Sequence, residues 1–207
     1  MISEAHSFLF IHRGKSGGNS LSKKLLPFCK NERIIAHNDF QDGIRYFDVK
    51  NIKYKTRKHA SLEEVKSVVP NRLFNSLLKF TTIRNPYDRL VSAYWSPNRV
   101  NKRNIKTFEA SLFIKIINKQ RTFRDFTCLK SSDKLDEHMD FIIKFEDMGG
   151  SISKLSKILG LNIPNIPHIN KSNRKHYSHY ITPKLKLLID EKFAEEIDFF
   201  NYKFEKE

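Results

Sequence analysis

An uninterrupted apolar run, Phe8-Leu9-Phe10-Ile11, stands near the start of the chain and is followed by His12, Arg13 and the turn residues Gly14-Lys15-Ser16-Gly17-Gly18. A short run that is apolar on both faces predicts a buried strand over Ser7 to His12, ending in a tight turn. Beyond the turn, Leu21, Leu25 and Phe28 fall on one side of a helix that opens near Asn19. Arg33 to His37 reads as a second short strand, with a polar stretch of no clear period running on to about Lys58. Ser61 with Glu64 three residues later is a capping box, so a helix is predicted from Leu62 to Val69. The β-rich run Lys79 to Arg84 leads directly into Asn85-Pro86, a helix cap and a first-turn proline for NPYDRLVSAYW. A helix within FEASLFIKIINKQ, a strand over Asp140 to Phe145 and a helix from Ser151 to Leu159 follow. Last, Thr182 and Pro183 precede Leu185, Leu188, Ile189, Phe193 and Ile197 at helical spacing. Strands alternating with helices predict an α/β domain, a mainly parallel sheet with helices on both faces. In such sheets ligands sit beyond the carboxyl ends of the strands, so the two strand-to-helix turns, after His12 and after Arg84, can face one site.

Composition narrows this picture. At 207 residues, 39% of them hydrophobic, the chain suits a single domain spanning residues 1–207 rather than two. No apolar run is long enough to span a bilayer, and Met1 to His6 lack the basic start of a signal peptide. Cys29 and Cys128 are far apart and have neither disulfide nor metal-ligand spacing, which predicts no metal and a reducing, cytoplasmic setting. The net charge of +15 calls for an anionic partner: nucleic acid, a membrane surface, or a polyanionic small molecule or glycan. The lysines are dispersed and no nucleic-acid-binding signature is present, which disfavours nucleic acid.

Gly14-Lys15-Ser16 matches the tail of a nucleotide-hydrolase phosphate loop, yet that pattern needs a glycine where this chain has Leu9. No clear apolar strand ends in a magnesium-binding Asp either, which weakens the reading as a nucleotide kinase. An anion site is still predicted, because unpaired N–H groups at a helix start, two glycines and a lysine converge there.

In order, FIHRGKSGGNSL, RKHASLEEVK, KFTTIRNPYDRLVSAYW, FIIKFEDM and IPHINKSNRKHYSHYITPKLKLLIDEKFAEEIDFFNY resemble the successive blocks of the carbohydrate sulfotransferase family, which includes heparan sulfate 2-O-sulfotransferases and small bacterial relatives. The resemblance spans nearly the whole chain and implies a P-loop-like fold. It also implies transfer of a sulfuryl group from 3′-phosphoadenosine-5′-phosphosulfate (PAPS) to an acceptor hydroxyl, leaving adenosine 3′,5′-bisphosphate. It maps Lys15, Ser16, Gly17, Gly18, Asn19 and Ser20 to the 5′-phosphosulfate, and Arg84 and Ser92 to the 3′-phosphate. His59 matches the family's base, and Lys15 is placed to neutralise charge on the leaving oxygen. Lys171, Ser172 and Arg174 form a basic loop in a region that approaches donor or acceptor, and His12 is a candidate acceptor contact. Gly14 and Asn19 depart from the family form IPKTGGTS, replacing its proline and its first threonine after the glycines.

Each assignment has a plainer alternative. Lys15 can be a solvated loop lysine, His59 an exposed loop histidine, and Arg84 the partner of Asp88 in an internal salt bridge. Lys171 to Arg174 can be a solvated basic loop, while Tyr87, Tyr94 and Trp95 suit a core better than an adenine pocket. As a whole, the chain can also be read as a basic module that binds glycan or nucleic acid on a degenerate form of the fold.

Overall fold

The structure is a computed structural model that describes residues 1–29, 34–41, 44–96, 105–164 and 174–207, with the backbone alone described over 34–41 and 44–49. Its main sheet has four strands: β1 (Ile2–Ser3), β2 (Phe8–Ile11), β5 (Leu78–Ile83) and β6 (Phe141–Lys144), in the spatial order β1-β2-β5-β6. Strand β1 runs antiparallel to β2, whereas β2, β5 and β6 are parallel, with Phe10 beside Phe80 and Phe80 beside Phe141. Thr81 Oγ1 donates to the Ile11 carbonyl at 2.7 Å, fastening β2 to β5 near the carboxyl ends where the site forms.

Alternation along β2 sends its side chains to both faces. Leu9 and Ile11, with Ile83 of β5, pack against Leu62 and Val65 of α2 (Leu62–Lys66), Phe74 of α3 (Asn71–Ser76) and Phe123 and Phe126 of α6 (Phe123–Thr127). Phe8 and Phe10, with Phe80 and Ile143, pack instead against Leu21 and Leu25 of α1 (Gly18–Leu25) and Ile152 and Leu155 of α7 (Met148–Leu159). Helices therefore cover both faces, and the buried run of β2 is apolar throughout because neither face meets water. A third apolar layer joins α4 (Pro86–Tyr94), α5 (Ala110–Lys119) and α8 (Pro183–Lys192) through Leu90, Val91, Phe113, Ile117, Leu185 and Ile189.

Several elements differ from the sequence expectation. The region from Arg33 to Lys58, read as one short strand and a polar tail, contains a separate antiparallel hairpin, β3 (Ile34–Gln41) and β4 (Ile44–Asn51). Its strands mix polar and apolar residues without strict alternation, which is why the period is illegible. The helix predicted over Leu62 to Val69 ends at Lys66, and a second short helix, α3, fills the connection to β5. A capping box at Thr122 and Asp125 starts α6, which the apolar pattern did not reveal. Helix α7 begins three residues before Ser151, with the Asp147 side chain accepting from Gly150 N. The last helix is broken at Phe193 (φ −112°, ψ 20°), and α9 (Ala194–Phe199) sets off from there.

Candidate active site

The first strand-to-helix turn is built to present backbone. Lys15 has φ 66°, a left-handed conformation that costs a residue with a side chain roughly 1–2 kcal/mol. Arg84 braces this conformation, its Nη1 donating to the Lys15 carbonyl at 3.1 Å. Gly17 caps α1 at φ 82°, with no side-chain cap and no acidic residue in the first turn. A Cβ on Gly17 would lie 2.5 Å from Met148 Cε and 3.0 Å from Phe145 Cδ2, so a side chain there would have to displace Met148 and would be strained by the positive φ. Ser16 is wholly buried and its hydroxyl has no hydrogen-bond partner among the described residues. An orphaned buried hydroxyl beside an uncapped helix start suits an anionic oxygen acceptor, and a phosphosulfate fits that donor set. Asn19 is half-buried on the first turn of α1, and Ser20 is buried, its N–H returning to the Gly17 carbonyl at 3.1 Å.

The second turn touches the first. Asn85 caps α4 by accepting from Tyr87 N at 3.1 Å, while its own N–H donates to Glu146 Oε1 at 2.7 Å and its Nδ2 to the Lys203 carbonyl at 3.0 Å. Arg84, at the end of β5, lies 4.0 Å over the Phe145 ring and donates from Nε to Asp88 Oδ2 at 2.7 Å. The Asp88 pairing weighed from the sequence is thus present, alongside the bond from Arg84 to the first turn. Arg174 also reaches Asp88, at its other oxygen. Ser92 is half-buried on α4, one helical turn beyond Asp88 and on the same face as Asn85. Lys171 and Ser172 lie outside the described residues.

His59 stands just before the capping box of α2 and beside the first turn. A Cβ on Gly14 would be 4.0 Å from His59 Cε1. The ring is exposed, and its Nδ1 lies 3.0 Å from the His12 carbonyl. A carbonyl only accepts, so Nδ1 carries the proton and, in the neutral ring, Nε2 carries the lone pair. Arg57, two residues before His59, has its charge offset by Glu64, 2.5 Å away. His12, expected at the acceptor, is instead 4% exposed and packs edge-on against His59, with ring centroids 4.6 Å apart. Its Nδ1 is 3.5 Å from Ser22 Oγ, and a Cβ on Gly18 would come within 2.3 Å of its Cδ2. Burial, then His59 and Lys58, push the His12 pKa well below the ordinary 6.5, so the ring stays neutral. His12 thus backs His59 rather than facing solvent.

Behind the turn lies a cluster no motif announced. Glu196 of α9 accepts from Arg13 Nη1 and Nη2 at 2.5 and 2.7 Å and from Phe123 N at 3.2 Å. Arg89 Nη2 stands 4.0 Å away, and all three residues are 2% exposed. Burial would raise the Glu196 pKa, but Arg13 and Arg89 hold it below the usual carboxylate value. Burial, reinforced by Arg13, lowers Arg89 to about 9. Arg13 directly precedes Gly14, so this pairing anchors the base of the turn.

With this geometry in hand, comparison with family models matches residues 1–203 to the sulfotransferase family. The chain belongs to that family, whose members are PAPS-dependent. No curated protein and no solved structure matches it. The mostly parallel sheet flanked by helices is consistent with the family's P-loop-like fold. Among the described residues no helix is long and apolar enough to cross a membrane.

Proposed function

We propose that this chain transfers the sulfuryl group of PAPS to a hydroxyl of a carbohydrate or other alcohol acceptor, with Lys15 and His59 catalytic. The Ser16–Ser20 backbone and hydroxyls hold the 5′-phosphosulfate, and Arg84 and Ser92 hold the 3′-phosphate. Arg174 serves the donor end it shares with Arg84. His59 Nε2 takes the acceptor proton as the acceptor oxygen bonds to sulfur and the bond from sulfur to the 5′-phosphate oxygen breaks. Charge then grows on that oxygen, where the Lys15 ammonium and the start of α1 meet it, so the chemistry calls for no metal ion.

One observation carries this reading: the bond from His59 Nδ1 to the His12 carbonyl, which selects the tautomer a general base needs, beside the turn that carries Lys15. The experiment supplies labelled PAPS with a panel of glycans and small alcohols and compares wild type with His59→Asn. Asparagine keeps a donor near the Nδ1 position and removes Nε2. Turnover is expected to fall about 10²-fold or more, while affinity for adenosine 3′,5′-bisphosphate stays unchanged. A variant within a few-fold of the wild-type rate removes His59 as the base. Salt-sensitive polyanion binding with no nucleotide binding would favour a non-enzymatic basic module instead.

A further inference from the structure

Two arginines from distant parts of the chain meet one carboxylate at the donor end of the site. Asp88 Oδ2 accepts from Nε and Nη2 of Arg84, and Asp88 Oδ1 accepts from Nη2 of Arg174, across 86 residues of sequence. The Arg84 and Arg174 side chains are 12% and 9% exposed, and that of Asp88 is 21% exposed. Two guanidiniums this enclosed repel one another. Burial lowers the Arg84 pKa and Arg174 adds to that, while Asp88 and Glu146 oppose it. Burial would in turn raise the Asp88 pKa, but the two arginines hold it below the usual carboxylate value.

We infer that Asp88 is a positioning residue of the donor site, a carboxylate that fastens the segment carrying Arg174 to Arg84 and α4 before any nucleotide arrives. The inference rests on the proposed donor site. Of the five N–H donors of a guanidinium, Arg84 commits two to Asp88 and one to the Lys15 carbonyl, leaving one on each terminal nitrogen for an anion. The result is a continuous polar chain from Lys15 through Arg84 and Asp88 to Arg174, joining both turns and the C-terminal segment. A bound phosphate would bridge the two guanidiniums by itself. Asp88 therefore matters chiefly in the nucleotide-free protein, where it keeps the competent arrangement populated and so lowers the apparent dissociation constant. The opposite role, a carboxylate standing where the phosphate must go, would make Asp88 a competitor.

Calorimetric titration of the full chain with adenosine 3′,5′-bisphosphate separates these roles. Asp88→Ala and Arg174→Ala are each expected to weaken binding about 10-fold, and Asp88→Asn less than Asp88→Ala. The double variant Asp88→Ala/Arg174→Ala should bind no more weakly than the weaker single variant, because the two residues act as one unit. Asp88→Ala leaves two enclosed guanidiniums without their shared counterion and should melt below wild type, so affinities are compared at a temperature where every variant is folded. Its affinity for PAPS should fall more than its turnover at saturating PAPS. Wild-type or tighter binding by Asp88→Ala overturns the inference, as do independent losses that multiply to about 100-fold in the double variant. Arg84→Ala tests the underlying site: wild-type binding by that variant overturns the site and the inference together. Weakened binding by Arg84→Ala with unaltered binding by Asp88→Ala overturns the inference alone.

Discussion

Replacing Glu196 by Gln removes one negative charge from between two buried guanidiniums while changing almost nothing in shape. Arg13 and Arg89 have side chains only 3% and 2% exposed, so neither can turn to water without opening the core. Among the described residues, Arg89 Nε and Nη2 have no hydrogen-bond partners, and its guanidinium leans on the Phe193 ring at 5.1 Å. Leaving a buried charge without its counterion costs about 3–5 kcal/mol, a large part of the roughly 5–15 kcal/mol that holds a domain together. In a chain of this length each kcal/mol moves the thermal midpoint by about 2–4 °C, so Glu196→Gln should melt about 6–20 °C below wild type. The triple variant Arg13→Met/Arg89→Met/Glu196→Leu removes all three charges and should recover most of that loss. Thermal and urea unfolding at neutral pH measure both. Because its folded pKa lies below the unfolded 4.5, Glu196 contributes stability that is full above that value and is lost as pH falls through the folded pKa. Glu196→Gln should therefore show a flatter acid limb than wild type. A Glu196→Gln midpoint within about 2 °C of wild type would refute the reasoning, since the two arginines would then have found another counterion or reached water.

Gly18→Ala places a Cβ 2.3 Å from Cδ2 and 2.4 Å from Nε2 of the enclosed His12 ring, so overpacking should cost about 1–3 kcal/mol in urea unfolding. Turnover should fall as well, since the displaced ring moves against His59; a wild-type rate would show that the ring does not set the base. The His12 pKa is depressed by burial, so below pH 6.5 the unfolded chain takes up a proton that the native one refuses. Stability should then decline by about 1.4 kcal/mol per pH unit from this group as pH falls from 6.5 toward the folded pKa. A His12→Leu variant should lack that slope, and parallel pH–stability curves for the two proteins would refute the burial argument.

Short-range chemistry was legible along the chain. The Asn85 cap with Pro86, the Ser61 and Glu64 box and the Thr182 cap all lie where the residues predicted, because each satisfies backbone donors within one helical turn. The glycines after Lys15 announced a turn for the same local reason, and the apolar run before it announced a strand covered on both faces. Tertiary structure decided what no local pattern carries. Glu196 lies in the stretch read as one continuous helix, and no local pattern names its partner: it is buried beyond the break at Phe193, where it meets Arg13, 183 residues away. An internal salt bridge between Arg84 and Asp88 was the plainer alternative in the sequence, and Arg174 and the Lys15 carbonyl join it from distant elements. His12, a candidate acceptor contact from the sequence, is buried against the His59 ring. In every such case a charged or polar group is held by a partner from a distant element, and only the meeting of those elements, driven by burial of the apolar layers between them, determines which partner that is.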